Sequence, residues 1–359
     1  MVFFSYLRRM DWVINGCVVF LACVSLVAIA SAKPDELFQQ AVAFGIGIGL
    51  LLLFAVIDWR PLVAHRSIIF ILYATGIALL IATYFFAPTI RATRSWLVFG
   101  PVQFQTSEFM KIALIILYSY YFARRHTGIA EWQNIVIPFF YALLPVFLIL
   151  AQPDMGSGLI IIGIWVVYVF VSGLRMRHVV IGLCLAAVVA FFGWSHLEGY
   201  QRERIKGLFN PRYDPLGINY NVIQSKIAIG SGGWLGKGFR QGTQTQLGFL
   251  PEPANDFVFS SIAEEWGVVG VFALLTVFAV LVGRLLYVGA GIRGNFSKLV
   301  CLGMAGLILL HMAFNIGSAV GFMPVIGVPL PLVSYGGSSI LTFLSGLGIV
   351  QSIAIRSLF

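Results

Sequence analysis

The chain has 359 residues, of which 59% are hydrophobic and only 10% are charged. Soluble domains carry about 25% charged residues, so this composition excludes a soluble globule, a disordered chain and a disulfide-stapled secreted fold. The formal net charge of +9 does not indicate nucleic-acid binding, because the basic residues lie between apolar runs rather than along one face. The composition predicts an integral membrane protein whose outer surface contacts the lipid bilayer.

Ten apolar runs are long enough to cross a bilayer, which takes about 20 such residues in a helix. Backbone groups cannot stay unpaired in lipid, so each run is predicted to be α-helical. We therefore expect an all-α polytopic membrane protein that forms a single domain over residues 1–359. The predicted spans are Trp12–Ala32, Leu37–Ile57, Ile68–Ala87, Phe104–Ala123, Ile135–Ala151, Gly156–Gly173, His178–Ser195, Phe257–Val288, Leu299–Phe322 and Gly337–Ile355.

Lysine and arginine residues in the short connections predict the orientation, because these residues are enriched on the cytoplasmic side of membranes. If the N-terminus is inside, most of them fall in cytoplasmic segments, and both termini are then predicted to be cytoplasmic. The residues on that side are Arg8, Arg9, Arg60, Arg66, Arg124, Arg125, Arg175, Arg177, Arg284, Arg293, Lys298 and Arg356. The short outer connections hold only Lys33, Arg91 and Arg94.

Charged residues inside an apolar span are costly and are usually functional. Glu108 and Lys111 lie three residues apart in the fourth span, so on a helix they share a face and can pair. Two interpretations stay open, a structural ion pair that holds helices together or a charged wall of a polar cavity. Asp154, at the start of the sixth span, is interpreted either as a helix N-cap or as a site residue.

One long connection, residues 196–256, separates the seventh and eighth spans and is predicted to face outward. Connections of this length without obvious structure are usually functional. Asp256 lies where this loop becomes the eighth span, and Glu264 and Glu265 are expected about two turns deeper. Asp256 is interpreted either as the N-cap of that helix or as a general base beside the membrane surface.

Six sequence motifs occur in order along most of the chain. They are the segments Phe104–Lys111, Gln152–Asp154, Gly232–Gly238, Phe249–Phe257, Glu264–Gly267 and Pro329–Ser338. Together they resemble the motifs of the SEDS family (shape, elongation, division and sporulation), which includes RodA and FtsW. The segment Gly242–Gln246 and the short tail after the last span resemble RodA more than FtsW. One departure is Thr106, where the family usually has a proline that would fix the start of a helix.

The resemblance implies a peptidoglycan glycosyltransferase of the bacterial cytoplasmic membrane, which polymerises lipid II during cell elongation. It also implies a class B penicillin-binding protein as partner, within the elongation machinery, and Asp256 as the catalytic residue. As a general base, Asp256 would take the proton of the acceptor hydroxyl while the anomeric carbon inverts. Two other functions stay open, a lipid II flippase or other transporter and a non-catalytic scaffold for the penicillin-binding protein.

The remaining candidate residues are charged groups expected near the substrate. Negative charge that develops on the diphosphate needs cations, and a divalent metal ion, Mg or Mn, is a candidate addition to them. The candidate cations are Arg94, Lys111, Lys226 and Lys237. The candidate acidic residues of the cavity are Glu108, Asp154 and Glu264.

Overall fold

In a computed structural model of the chain, residues 6–125, 133–171 and 219–357 are described, with short gaps at 7, 60, 62–64, 90–92 and 101. A few isolated positions between 172 and 218 are described as well. The predicted seventh span, His178–Ser195, lies almost wholly outside the described residues, as does most of the first part of the long loop, 196–218.

The described residues form helices and one β-hairpin, which confirms the predicted polytopic, helical class. Seven of these helices are long and apolar enough to cross a membrane, and nine of the ten predicted spans coincide with described helices. The elements are α1 (Trp12–Ala32), a 3-10 turn (Pro34–Glu36), α2 (Leu37–Val56), α3 (Arg66–Phe86), β1 (Trp96–Phe99), β2 (Val102–Gln105), α4 (Thr106–Ala123), α5 (Gln133–Leu150), α6 (Met155–Val171), α7 (Tyr220–Ser231), α8 (Thr243–Gln246), α9 (Val258–Gly291), α10 (Asn295–Ala319) and α11 (Gly337–Ser357).

The outer surface of the helix bundle is apolar, as a lipid-facing surface must be. Phe38 of α2, Phe86 of α3 and Phe147 of α5 are each more than 70% exposed. In contrast, α4 and α11 lie inside, and most of their side chains are buried. The polar residues of α4 are therefore enclosed by protein rather than presented to lipid.

The β-hairpin before α4 was not expected from the sequence. Strands β1 and β2 pair antiparallel across a turn at Gly100, whose φ is +59°. The expected start of the fourth span at Phe104 is therefore wrong, because Phe104 belongs to β2 and the helix begins at Thr106. Aromatic and β-branched residues on both sides of a Gly-Pro pair favour such a hairpin, and their hydrophobicity made them look like a continuation of the span.

Thr106 begins α4 although the family usually has proline there. Its hydroxyl bonds the hydroxyl of Thr83 in α3 at 2.8 Å, and both side chains are buried. The first position of a helix is where a proline is tolerated best, since its missing N–H has no partner within the helix. Thr106 thus occupies the same helix-start position and adds a contact to α3.

The chain termini meet at one end of the bundle. Asp11 caps α1 through the backbone N–H groups of Val13 and Ile14, and it forms an ion pair with Arg284 of α9 at 2.7 Å. The backbone N–H of Asp11 also donates to Gln351 of α11. At the other end of α1, Ser31 donates to Glu265 of α9. Helix α9 begins at this second end, just after Asp256, so we call it the Asp256 end.

Helix α9 is broken at Gly267, whose φ of 63° and ψ of −163° are accessible essentially only to glycine. The backbone groups freed by the break bond to the segment of residues 232–249, which we call the clasp loop. Carbonyls before the break accept from loop amides, and amides after it donate to loop carbonyls. The four bonds are Lys237 N to Glu264 O, Gly238 N to Glu265 O, Val268 N to Gly233 O and Val269 N to Trp234 O, at 2.9 to 3.1 Å.

Glu265 and Asp256, both near the start of α9, contact different helices. Glu265 bonds Ser31, next to the last residue of α1. The carbonyl of Asp256 instead meets α10 at Asn315, four residues before that helix ends. The expectation that Glu264 and Glu265 lie about two turns deeper than Asp256 stays a prediction, and the helix that would set this depth is interrupted at Gly267, directly after these residues and Trp266.

Candidate active site

Asp256 is the last residue but one of a turn-rich segment, residues 250–257, which joins the clasp loop to α9. Its side chain is partly exposed. Helix α9 begins at Val258, and its N-cap residue is Phe257, which makes no side-chain capping bond. The structure thus places Phe257 rather than Asp256 at the N-cap position, and the interpretation of Asp256 as the helix N-cap is wrong.

The backbone of this segment is held by α10 and by the connection between α10 and α11, residues 320–336. Three consecutive carbonyls each accept a hydrogen bond: Ala254 O from Tyr335 N at 2.8 Å, Asn255 O from Ser334 Oγ at 2.6 Å, and Asp256 O from Asn315 Nδ2 at 3.0 Å. The phenol of Tyr335 donates in turn to Gln39 of α2 at 2.6 Å. Burial, and after it the carboxylate of Glu36, raises the pKa of this phenol, which keeps it protonated as a donor.

Lys111 is the centre of a buried polar cluster. Its Nζ lies 2.6 Å from Glu108 Oε1 and 3.2 Å from His311 Nε2 of α10, and all three side chains are at most 2% exposed. His311 Nδ1 lies 3.0 Å from the carbonyl oxygen of Pro329. Since a carbonyl can only accept, Nδ1 is assigned the proton, and Nε2 accepts from the lysine. The predicted pairing of Glu108 with Lys111 is confirmed, and His311 attaches the pair to the connection that holds the Asp256 segment.

Glu108 is only partly satisfied. Its second carboxylate oxygen, Oε2, is buried and has no hydrogen-bond partner among the described residues. Buried carboxylate oxygens are normally bonded, so such an exception marks a place where a ligand or a water donates.

Asp154 caps α6 and also reaches the strand before α4. Its Oδ1 accepts from the backbone N–H of Ser157, and its Oδ2 accepts from Gln105 Nε2, both at 3.0 Å. The Ser157 hydroxyl lies 3.0 Å from that of Ser107, the neighbour of Glu108. The capping interpretation is confirmed, and the same carboxylate ties the start of α6 to the start of α4.

Glu264 of α9 and Lys237 of the clasp loop form a second ion pair. Glu264 is fully buried, whereas Lys237 is 24% exposed. The Glu264 carboxylate accepts from Lys237 Nζ, the backbone N–H of Gln244, the backbone N–H and hydroxyl of Thr245, and the hydroxyl of Thr243, at 2.8 to 3.3 Å. Both of its oxygens are bonded, so this pair fixes the clasp loop to α9.

Arg94 and Lys226 are exposed side chains at the Asp256 end. Arg94 Nε donates to Thr89 Oγ1 at 3.2 Å, just before the β-hairpin. Lys226 lies on α7 beside Gly321, where an added Cβ would come within 2.6 Å of its Nζ. The structure thus brings Glu108, Lys111 and Asp154 together around the start of α4, pairs Lys237 with Glu264, and leaves these two cations on the surface.

His311 and Asn315 of α10 were missed by sequence reasoning. They are polar residues four apart inside the predicted ninth span, so they share a helix face. Polar residues within an apolar span are the same signal that identified Glu108 and Lys111. Applied to the ninth span, that signal would have found both residues.

A divalent metal ion stays a prediction. The described residues contain no group of three or more His, Cys, Asp or Glu side chains that could hold a metal ion. Mg²⁺ is commonly bound through one or two carboxylates, waters and substrate phosphates. The described residues therefore supply fewer than three such side chains to any one metal ion.

Comparisons with known proteins cover nearly the whole chain. Residues 6–357 match the cell cycle protein family of FtsW, RodA and SpoVE. The chain is 38% identical over 337 residues to the peptidoglycan glycosyltransferase MrdB of Escherichia coli K12, which covers 93% of this chain and 90% of that protein. It is 35% identical over 263 residues to stage V sporulation protein E of Bacillus subtilis, which covers 73% and 71%.

Solved structures show the same similarity. A chain from a study of how a peptidoglycan synthase complex coordinates polymerization and crosslinking has a TM-score of 0.82 and 36% identity, over 96% of this chain and 97% of that chain. The rod shape determining protein RodA of Thermus thermophilus has a TM-score of 0.72 and 30% identity, over 98% of both chains. The similarity therefore concerns the whole architecture rather than a single motif.

Proposed function

The chain belongs to the cell cycle protein family of FtsW, RodA and SpoVE, and we propose that it polymerises lipid II with Asp256 as the general base. It is a RodA-like peptidoglycan glycosyltransferase of cell elongation, as two of its relatives, at 38% and 34% identity, are named peptidoglycan glycosyltransferase MrdB. The observation that carries the proposal for Asp256 is its placement. Asp256 lies one residue before the N-cap of α9, is partly exposed, and belongs to a backbone segment whose carbonyls accept three hydrogen bonds.

Glycosyl transfer from lipid II requires one general base. The donor sugar is carried on a diphosphate, which is already a good leaving group, so no covalent enzyme intermediate is required. The acceptor hydroxyl is a poor nucleophile at neutral pH, and a carboxylate that removes its proton contributes typically about 10²–10⁴-fold. In the proposed step the hydroxyl oxygen attacks the anomeric carbon, its proton passes to Asp256, and the bond to the diphosphate breaks with inversion.

The cations of the site are proposed to neutralise the diphosphate. Lys111 is connected to the Asp256 segment through His311 and Pro329. Arg94 and Lys226 are exposed at the same end of the bundle and could meet the diphosphate there. Preorganised positive groups stabilise charge as it develops on a leaving group.

The acidic candidates are proposed to shape the cavity rather than to do the chemistry. Glu108 orients Lys111, and Asp154 holds the starts of α4 and α6 together. Glu264, with Lys237, fixes the clasp loop over the break in α9. These roles are supported by the hydrogen bonds that each residue makes.

We further propose that the protein resides in the bacterial cytoplasmic membrane with both termini in the cytoplasm and Asp256 outside. Arg284 of α9 and Arg356 of α11 lie at the end where the termini meet, which agrees with the enrichment of arginine on the cytoplasmic side. A class B penicillin-binding protein is the proposed partner. The similarity to a chain of a peptidoglycan synthase complex that joins polymerization to crosslinking supports this partner.

The flippase and scaffold alternatives are less well supported by the arrangement of polar groups. A transporter that works by alternating access gathers its polar residues near the bilayer midplane. Here Glu108 lies in the first turn of α4, and Asp154 and Asp256 precede the starts of α6 and α9. A cluster at helix starts favours chemistry at one membrane face.

Purified protein incubated with labelled lipid II, with and without a class B penicillin-binding protein, tests the proposal. We expect long glycan strands on a denaturing gel, which a muramidase digests. Transfer of lipid II across proteoliposome membranes without any polymer would instead support a flippase. Absence of both polymer and transport under all conditions would support a scaffold.

A further inference from the structure

Asn315 of α10 holds two separate backbone segments at once. It is 1% exposed, and its side-chain amide donates to Asp256 O at 3.0 Å and to Val328 O at 2.9 Å. Both acceptors are carbonyls, so the amide nitrogen must face them, which fixes the orientation of the amide group. Both of its N–H bonds are thereby used.

Asn315 differs from the other groups that hold this segment. The carbonyls of Ala254 and Asn255 are bound by Tyr335 and Ser334, which belong to the connection between α10 and α11. Only the carbonyl of Asp256 itself is bound by a side chain from a long membrane helix. A helix places its side chains more rigidly than a connection does, so Asn315 sets where the main chain of Asp256 lies.

Asn315 also stands one turn from His311 on the same helix face. His311 binds the carbonyl of Pro329, and Asn315 binds that of the preceding residue, Val328. The two side chains therefore link the Glu108–Lys111 pair, the connection after α10 and the Asp256 segment. A shift of α10 would displace all three together.

One atom of Asn315 is left over. Its Oδ1 is buried and has no hydrogen-bond partner among the described residues. Most buried acceptors in folded proteins have a donor, so this oxygen has the capacity for a further hydrogen bond. The residue that positions Asp256 thus also offers an acceptor close to that segment.

We propose that Asn315 is a positioning residue for the glycosyl transfer, which fixes the backbone of Asp256 so that its carboxylate meets the acceptor hydroxyl. This inference rests on the proposed role of Asp256 as general base. Without the two hydrogen bonds from Asn315, the carboxylate of Asp256 can move away from its productive position. A displacement of about 1 Å from that position costs on the order of 10²-fold in rate.

Variants of the full chain, assayed with the penicillin-binding partner present, test this role. Asn315→Ala removes both hydrogen bonds, and Ser318→Ala is the matched control. Ser318 is buried on the same helix, and among the described residues its hydroxyl donates to the backbone carbonyl of Asn315. We expect kcat to fall roughly tenfold to hundredfold in Asn315→Ala with a smaller change in KM, and Ser318→Ala to stay within about threefold of wild type.

Asn315→Asp gives a signature that a purely structural role would not produce. The side chain keeps its shape, but the carboxylate cannot donate, whereas the protonated carboxyl can donate one hydrogen bond. The rate of Asn315→Asp relative to wild type should therefore rise as the pH falls. A ratio that does not change with pH would overturn the proposal.

Other outcomes are equally decisive. Rates of both Asn315 variants that match Ser318→Ala would overturn the positioning role, as would failure of both variants to fold, because Asn315 would then serve the fold alone. Asp256→Asn in the same assay separates this inference from the function it rests on. If Asp256→Asn is active, the general-base role of Asp256 is refuted. If Asp256→Asn is inactive but the Asn315 variants have normal rates, only the positioning role of Asn315 is refuted.

Discussion

The two ion pairs that join a buried glutamate to a lysine are satisfied to different degrees. Where α9 meets the clasp loop, Glu264 accepts hydrogen bonds at both oxygens, from Lys237, two backbone amides and two threonine hydroxyls. Near the start of α4, Glu108 is just as buried, yet its Oε2 has no partner among the described residues. The same two residue types thus form a closed structure in one region and an incomplete one in the other.

We use this difference to distinguish a glutamate that stabilises the fold from one that serves the site. A buried polar atom left without a partner costs about 1–3 kcal/mol, so it persists where a ligand can supply the missing bond. We infer that Glu264 builds the clasp loop and that Glu108 faces the site. Burial alone would not have distinguished them, because both are at most 1% exposed.

The largest expected effect on stability follows from removing the closed pair. Glu264→Gln puts an NH2 group where a fully bonded carboxylate oxygen accepts, so donors of the clasp loop lose their acceptor, and breaking such a pair costs about 3–5 kcal/mol. The same change at Glu108 should cost less, because the NH2 group can take the place of the unbonded Oε2 while the amide oxygen still accepts from Lys111. Thermal unfolding in detergent measures both losses. Equal losses would contradict the comparison between the two regions.

The break in α9 gives the next prediction. In Gly267→Ala the new Cβ would lie 2.6 Å from Trp234 O and closer still to Gly236 N, at a backbone conformation that strains other residues. We expect a loss of about 2–3 kcal/mol and a loosened clasp loop. Gly283→Ala, on the same helix with open space around it, should change stability by no more than about 1 kcal/mol. Similar melting temperatures for the two variants would mean that the clasp loop does not depend on the break.

Charge reversals in the Glu108–Lys111 pair should change the polymerisation activity. Glu108→Lys and Lys111→Glu each place like charges together in a buried site, so each should abolish most polymerisation. The double reversal restores the pair but puts a carboxylate beside His311 Nε2, which carries no proton in the assigned tautomer. We therefore expect partial recovery, larger relative to wild type at a pH low enough to protonate the imidazole. If the double variant polymerises no faster than the less active single variant, direct pairing of Glu108 with Lys111 is not required for activity.

The smallest effect is expected at the start of the helix that carries Glu108. Thr106→Pro restores the residue usual in the family, at a position where a proline is tolerated. It removes only the hydrogen bond to Thr83, so the change in stability should stay within about 1 kcal/mol. A loss of several kcal/mol in thermal unfolding would show that the start of α4 depends on the threonine.

Much of the bundle could be predicted from the sequence, because apolar runs of bilayer length leave the backbone no alternative to a helix. The Glu108–Lys111 pair was predictable as well, since its spacing is set within one helix. The break at Gly267 was not, because its bonds come from the clasp loop, some 30 residues earlier in the chain.

The site itself was predicted only in part. Asp256 could be singled out, but its exclusion from the helix cap depends on where α9 begins, a boundary that the sequence does not define well. Asn315 carried a visible signal as a polar residue in an apolar span, yet its partner Asp256 is 59 residues away in the chain. Contacts between distant segments depend on packing, which local patterns do not specify.

The rate of polymerisation by Asp256→Asn is the most direct test of the central claim. Asparagine keeps the shape of the side chain but cannot take a proton, so the rate on lipid II should fall by about 10²–10⁴-fold while the melting temperature is unchanged. Glu252→Gln, which removes another carboxylate from the same segment, should retain most activity. Normal polymer yield from Asp256→Asn would contradict the account.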